Sequence, residues 1–236
     1  LALPGARASE PGQAAVGPGL AAEPKLAAGP KLVVVVAIDQ LRKDRVSAAL
    51  PGGLGRLLRA GRNFIDSDLD HGITNTCPGH AVMLTGVQPG RAGIAGNEFV
   101  DRNSWASRYC VEDDNSDYQV LGGQGNRSPR MLQVDALGDW LKASYPDARV
   151  FSVAGKDRAA IMLGGQRPDG AYWYNADNIG FTTSGYYAPT IPAYLQEFTG
   201  PASFRSGLPA LWEHPAGSYR PDDFAGEATA NLRVSG

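Results

Sequence analysis

The sequence predicts an α/β fold in which a mostly parallel central sheet is flanked by helices. Two observations carry this expectation. Leu32 to Ile38 is a continuous, Val-rich apolar run, the pattern of a parallel strand buried on both faces. After it, stretches with apolar residues at helical spacing alternate with short apolar or β-branched runs, with no internal repeat.

The elements follow in order. The chain opens on Leu-Ala-Leu-Pro rather than Met, and Ala6-Arg7-Ala8 has the small-x-small form of a signal-peptidase site. Residues 1–8 therefore read as a signal-peptide remnant, and a periplasmic or secreted location is expected. A Pro/Ala/Gly-rich tail also produces such a triplet by chance. Residues 9–30 are rich in Ala, Gly and Pro without periodicity, the composition of a flexible tether. Order is expected from Lys31, giving one domain over 31–236. Its first strand stops at Asp39. Leu54, Leu57 and Leu58 predict a helix ended by Gly61, and Asn63 to Leu69 a second short strand. Thr74-Asn75-Thr76-Cys77-Pro78-Gly79-His80 leads into a helix, because Pro suits a first turn whose N–H groups lack partners. Ser128-Pro129 is expected to open another helix, with Leu132, Leu137, Trp140 and Leu141 on its apolar face and Pro146 at its end. Arg149 to Val153 is the next strand, closed by Ala154 to Arg158. Ala171 to Tyr174 and Ile179 to Thr183 predict a hairpin.

Composition narrows the function. Apolar content of 43% and charged content of 19% exclude wholesale disorder. A formal net charge of -2 gives no support to a nucleic-acid partner, and no run reaches the roughly 20 apolar residues of a bilayer span. Cys77 and Cys110 are too few for a disulfide scaffold. They form one bridge in an oxidising compartment or sit buried as thiols.

Four signals point to chemistry, and Asp39, Thr76 and Lys156 are expected just after a strand or at a helix start, on the rim where ligands of α/β folds collect. Asp39 ends an apolar strand, where a divalent cation would offset a costly carboxylate; a helix N-cap is the plainer alternative. Thr76 stands at a helix entrance, where free N–H groups and the helix dipole favour a negative oxygen, although Thr is also a common cap. Lys156 and Arg158 are two residues apart, and in extended chain they would share one side and match a dianionic phosphate. A solvated loop partly neutralised by Asp157 is the alternative. Asn97 follows the Gly93-Ile94-Ala95-Gly96 loop and offers an amide donor, or serves the turn itself.

Taken together, Val-Val-Ala-Ile-Asp39-Gln, Thr76-Cys-Pro-Gly-His80, Gly93-Ile-Ala-Gly-Asn97-Glu and Ala-Gly-Lys156-Asp-Arg158 resemble, in order and spacing, motifs of the threonine-nucleophile alkaline phosphatases of bacteria. The likeness runs through Gly170 to Tyr174 and Phe181 to Tyr187, covering nearly everything from Lys31 onward. It implies an alkaline-phosphatase-like catalytic domain of which 31–236 is the N-terminal portion. It also implies two zinc ions, Asp39 and Thr76 as metal ligands, and Thr76 as nucleophile. Asn97, Lys156 and Arg158 would hold the phosphoryl oxygens of a small-molecule phosphate ester. The Lys/Arg pair favours monoesters, since related nucleotide pyrophosphatase/phosphodiesterases lack it. A diesterase and a non-catalytic phosphate-binding remnant are the alternatives.

A two-zinc site needs more ligands than are present, because His71, His80 and His214 are the only histidines. His80, four residues after Thr76, could act as its base; His71 and His214 read as structural or exposed. Further chain at both ends is expected, and 1–236 alone should bind zinc poorly and turn over little substrate. A P-loop, a dinucleotide fingerprint, a calcium loop at Asp113-Asn115-Asp117 and a Gly-x-Ser-x-Gly elbow are excluded by missing residues.

Overall fold

The computed structural model describes residues 31–175, 180–198, 212–214 and 217–219. The expected signal remnant and tether, and the side chain of His214, lie outside the described residues. The chain divides after Ile38 into two compact units.

In the first unit, residues 31–38 have no regular secondary structure, and Leu32 to Val36 and Ile38 are exposed. The predicted strand is therefore not formed there. An apolar run encodes burial but not a hydrogen-bonding partner, and a parallel strand has no ladder without one.

From Asp39 onward a single 3-10 turn (Lys43–Arg45) precedes helix α1 (Gly52–Ala60). Gly61 ends it as predicted, but in extended rather than left-handed conformation; a Cβ there would meet the Leu57 carbonyl at 2.8 Å. The strand expected from Asn63 to Leu69 is absent, and those residues form an exposed turn and loop. Phe64, Ile65 and Leu69 stay exposed, and none of the described strands pairs with this stretch. Helix α2 (Thr76–Thr85) starts where Pro78 predicts and stops at Gly86, whose φ of 66° is left-handed. The short α3 (Pro89–Ala92) leads to an antiparallel hairpin, β1 (Glu98–Val100) with β2 (Ser107–Tyr109).

Ser128-Pro129 opens only a turn, closed by Leu132 N–H donating to Pro129 O. The helix itself, α4, spans Leu137–Ser144. Its start is displaced because buried Asp139 accepts the Ala136 N–H at 2.9 Å as a cap. Strand β3 (Phe151–Ala154) then runs into helix α5 (Asp157–Gly164), which crosses to β4 (Gly170–Asn175), parallel to β3. Strand β5 (Gly180–Thr182) pairs antiparallel with β4, forming the expected hairpin. Among the described residues parallel pairing is confined to β3 with β4. A short α6 (Ala193–Gln196) and an antiparallel pair, β6 (Trp212–His214) with β7 (Gly217–Tyr219), complete the description.

The core joins α2, α5 and β4. Cys77, Ala81, Ile161, Met162 and Trp173 are buried together, and α2 packs on α5. That contact places the two motif-bearing helices side by side.

Candidate active site

Thr76 is the first residue of α2 and is half-buried. The N–H groups of this turn are less available than expected. Cys77 N–H donates to Asn97 Oδ1 at 2.8 Å, Pro78 has none, and Gly79 N–H donates to Asn75 O at 3.0 Å. Only the Thr76 N–H finds no acceptor among the described residues. Asn97 is thus tied to the helix start through its oxygen, which leaves its Nδ2 group as the free donor. Its carbonyl also accepts the Cys110 N–H at 2.9 Å.

Cys77 and Cys110 form a disulfide with Cα atoms 6.6 Å apart, both fully buried, which resolves the alternatives left open by the sequence. Asn97 therefore touches both ends of the bridge. The glycine loop before it packs closely on neighbouring backbone. Gly93, at φ 82°, lies against protein, since a Cβ there would meet Met131 O at 2.6 Å.

His80 is buried and does not serve Thr76 as a base. Its Nδ1 lies 2.8 Å from the Thr76 carbonyl oxygen rather than the hydroxyl, and its Nε2 is 3.5 Å from Asp39 Oδ1. The ring instead links Asp39 to the backbone of Thr76. Asp39 follows no strand, and it is held beside α2 by this contact. His71 Nδ1 lies 2.9 Å from Ile73 O, a structural role.

Lys156 and Arg158 are not in extended chain. Lys156 is the exposed N-cap of α5 and Arg158 is its second residue, so spacing of two does not align them as expected. Asp157 does not neutralise either side chain directly. Its carboxylate accepts from Arg127 Nε at 2.7 Å, from the Tyr109 hydroxyl at 2.6 Å and from the Arg158 N–H at 2.7 Å. Arg158 Nη1 donates to the Tyr109 oxygen at 2.9 Å. Both guanidinium carbons also lie over the Tyr109 ring, at 5.0 Å for Arg127 and 5.8 Å for Arg158. Burial first, and then the Asp157 carboxylate, push the Tyr109 phenol well above its ordinary pKa.

Two adjacent residues thus bridge two helix starts. Cys110 is bonded to the second residue of α2, and Tyr109 contacts the first two of α5. The link ties the start of α2, and Asn97 with it, to the start of α5 that carries Arg158. Sequence reading missed Tyr109 and Arg127, and only the position of Tyr109 beside a cysteine hinted at it. The acidic run is held by protein: Asp113 accepts from Ser128, and Asp114 pairs with Arg108 at 2.9 Å and Arg130 at 2.6 Å.

Residues 33–225 match the family described as type I phosphodiesterase / nucleotide pyrophosphatase. The chain belongs to this family. Among relatives of this phosphodiesterase-family chain, alkaline phosphatase PhoK of Sphingomonas sp is 40% identical over 167 residues, 68% of this chain and 30% of PhoK. Alkaline phosphatase PafA of Elizabethkingia meningoseptica is 35% identical over 178 residues, 72% of this chain and 32% of PafA. The crystal structure of wild-type PafA superposes with a TM-score of 0.63 at 32% identity, covering 67% of this chain and 32% of PafA. A PafA variant substituted at one threonine, one asparagine, one lysine and one arginine superposes with a TM-score of 0.56 at 29% identity, covering 61% of this chain and 29% of that one. The chain spans about a third of the length of these relatives. The family match and these relatives place it in the alkaline phosphatase/phosphodiesterase superfamily, and the α/β class is that of PafA.

Proposed function

We propose that the full-length protein hydrolyses phosphate monoesters through a phosphothreonine on Thr76, with zinc as cofactor. The observation that supports this reading is that Cys110 is bridged to the residue after Thr76, Asn97 accepts that same residue's N–H, and the neighbouring Tyr109 bonds Arg158. The substituted PafA adds support. Its four altered residues are of the same types as Thr76, Asn97, Lys156 and Arg158, in the same chain order and with the same separations within the Thr–Asn and Lys–Arg pairs.

The residues present fit part of a metal site. The Asp39 carboxylate is 43% exposed and among the described residues meets the His80 ring, so it keeps oxygen capacity for a cation. Asp39 and the Thr76 hydroxyl would supply two of the roughly four donors zinc takes. No group of three potential ligands occurs among the described residues. What bound zinc supplies is acidification of the hydroxyl it contacts and neutralisation of developing charge. In the reaction, Thr76 Oγ gives up its proton to solvent and forms the bond to phosphorus as the ester oxygen leaves in line and is protonated from solvent. Water then takes the phosphoryl group from Thr76, releasing inorganic phosphate and restoring the hydroxyl. Asn97 Nδ2, Lys156 and Arg158 hold the phosphoryl oxygens throughout, so positioning and electrostatics carry most of the rate.

Thr76→Ala tests the nucleophile. Turnover of p-nitrophenyl phosphate by the zinc-loaded full-length protein should fall by about 1,000-fold or more while inorganic phosphate still binds. A loss of less than tenfold would sink the assignment. The family's phosphodiesterase and nucleotide pyrophosphatase members favour a second reading, a phosphodiesterase. A higher kcat/KM for bis-p-nitrophenyl phosphate than for the monoester would select it. The Cys77–Cys110 bridge supports export to an oxidising compartment. No helix among the described residues is long and apolar enough to cross a membrane.

A further inference from the structure

Arg158 presents an electrostatic problem that the phosphate-binding reading leaves open. A guanidinium meant for a phosphoryl group must be aimed, yet a carboxylate partner that aimed it would also neutralise it. The adjacent acid, Asp157, is the obvious partner in sequence. Its side chain is instead engaged by Arg127 and Tyr109, and it contacts Arg158 only at the backbone N–H. The acceptor that Arg158 Nη1 meets is the phenol oxygen of Tyr109, which is uncharged.

We propose that Tyr109 is a positioning residue that orients the Arg158 guanidinium toward the phosphoryl group while leaving its charge available, with Arg127 holding Asp157 away from it. The phenol is suited to the task because one oxygen accepts from Arg158 while its proton goes to Asp157. The ring adds a second restraint, lying beneath both guanidinium groups. Its backbone is fixed by the neighbouring Cys110, bridged to the residue beside Thr76. The orientation of Arg158 and the placement of the nucleophile are thereby set by one dipeptide. This inference rests on the proposed role of Arg158 as a phosphate ligand.

The test is a double-mutant cycle on the zinc-loaded full-length protein, using Tyr109→Phe, Arg158→Ala and both together. Tyr109→Phe keeps the ring and removes only the hydroxyl. Loss of a hydrogen bond to a charged group predicts about a tenfold fall in kcat/KM for p-nitrophenyl phosphate and about a tenfold weaker Kd for inorganic phosphate by calorimetry. The ratio of monoester to diester kcat/KM should fall with them, a change that general loosening of the fold would not produce. In the Arg158→Ala background, Tyr109→Phe should change the phosphate Kd by less than about twofold. Arg127→Met should likewise weaken phosphate binding only when Arg158 is present, which keeps the inference testable if Tyr109→Phe fails to fold. Equal effects of Tyr109→Phe or of Arg127→Met with and without Arg158 would overturn the positioning role alone. No effect of Arg158→Ala on phosphate binding would overturn the site reading and this role together.

Discussion

At Gln40 the backbone has a φ of 60°, a left-handed conformation that costs a residue with a Cβ about 1 kcal/mol or more. It follows Asp39 directly, so the turn that ends the apolar run also sets where that carboxylate stands. Gln40→Gly should hold or raise stability by up to about 1 kcal/mol, and Gln40→Val should lower it by about 1–2 kcal/mol. Denaturant melts of the two variants check the pair; a more stable Val variant would contradict the left-handed assignment. Gly93 combines a left-handed φ with contact against Met131 O, so Gly93→Ala faces both strain and overlap. It should cost about 2 kcal/mol or more and disturb Asn97.

Between elements, the Cys77–Cys110 bridge closes a loop of 33 residues containing the end of α2, all of α3 and the β1–β2 hairpin. Chain-entropy reasoning gives a stabilisation of about 3–4 kcal/mol for a loop of this size. The Cys77→Ala, Cys110→Ala double variant should melt earlier by that amount, and a thiol count on the unfolded protein should be zero before reduction. The β3–α5–β4 unit depends on Asp169, which receives the Val150 N–H at 2.8 Å, Arg149 at 2.8 Å and Lys142 at 3.1 Å. Burial opposes ionisation of this carboxyl, but the Val150 N–H and the two cations outweigh it and hold its pKa at about 2. The folded value lies below the unfolded one. The stabilisation is therefore complete above about pH 4 and is lost as pH falls through about 2. Asp169→Asn should flatten the acid limb of a stability–pH curve; an unchanged limb would exclude Asp169 as its source.

Across the whole molecule the alkaline limit has a different origin. Tyr109, Tyr172, Tyr186 and Tyr187 all have phenols raised above the ordinary value, in each case by burial before any other cause. A folded pKa above the unfolded one means the unfolded chain releases protons first. Stability is present below about pH 10 and falls as pH rises beyond it. Phenolate absorbance should therefore show a group of tyrosines that titrate late in the native protein and near pH 10 after denaturation, within a total of nine. Simultaneous titration of all nine in the native state would contradict the burial of these four.

What could be read from sequence was local. Pro78 marks the first turn of α2, and the runs Ala171 to Tyr174 and Ile179 to Thr183 predict their hairpin, because caps and strand-forming runs act within a few residues. The motif residues from Asp39 to Arg158 could be named, and a superfamily with them, because each motif lies within a short span. Predictions that needed a partner elsewhere failed. Leu32 to Ile38 forms no strand, whereas the start of α4 was missed on a local signal, the Asp139 cap on Ala136 three residues away. The tertiary structure alone decided that Cys77 joins Cys110, that His80 bonds the Thr76 carbonyl, and that Asp157 belongs to Arg127. The hydroxyl of Tyr109 meets Asp157 and Arg158 across 48 and 49 residues of chain. No periodicity encodes such a meeting; it joins the end of β2 to the start of α5, two elements far apart in the chain.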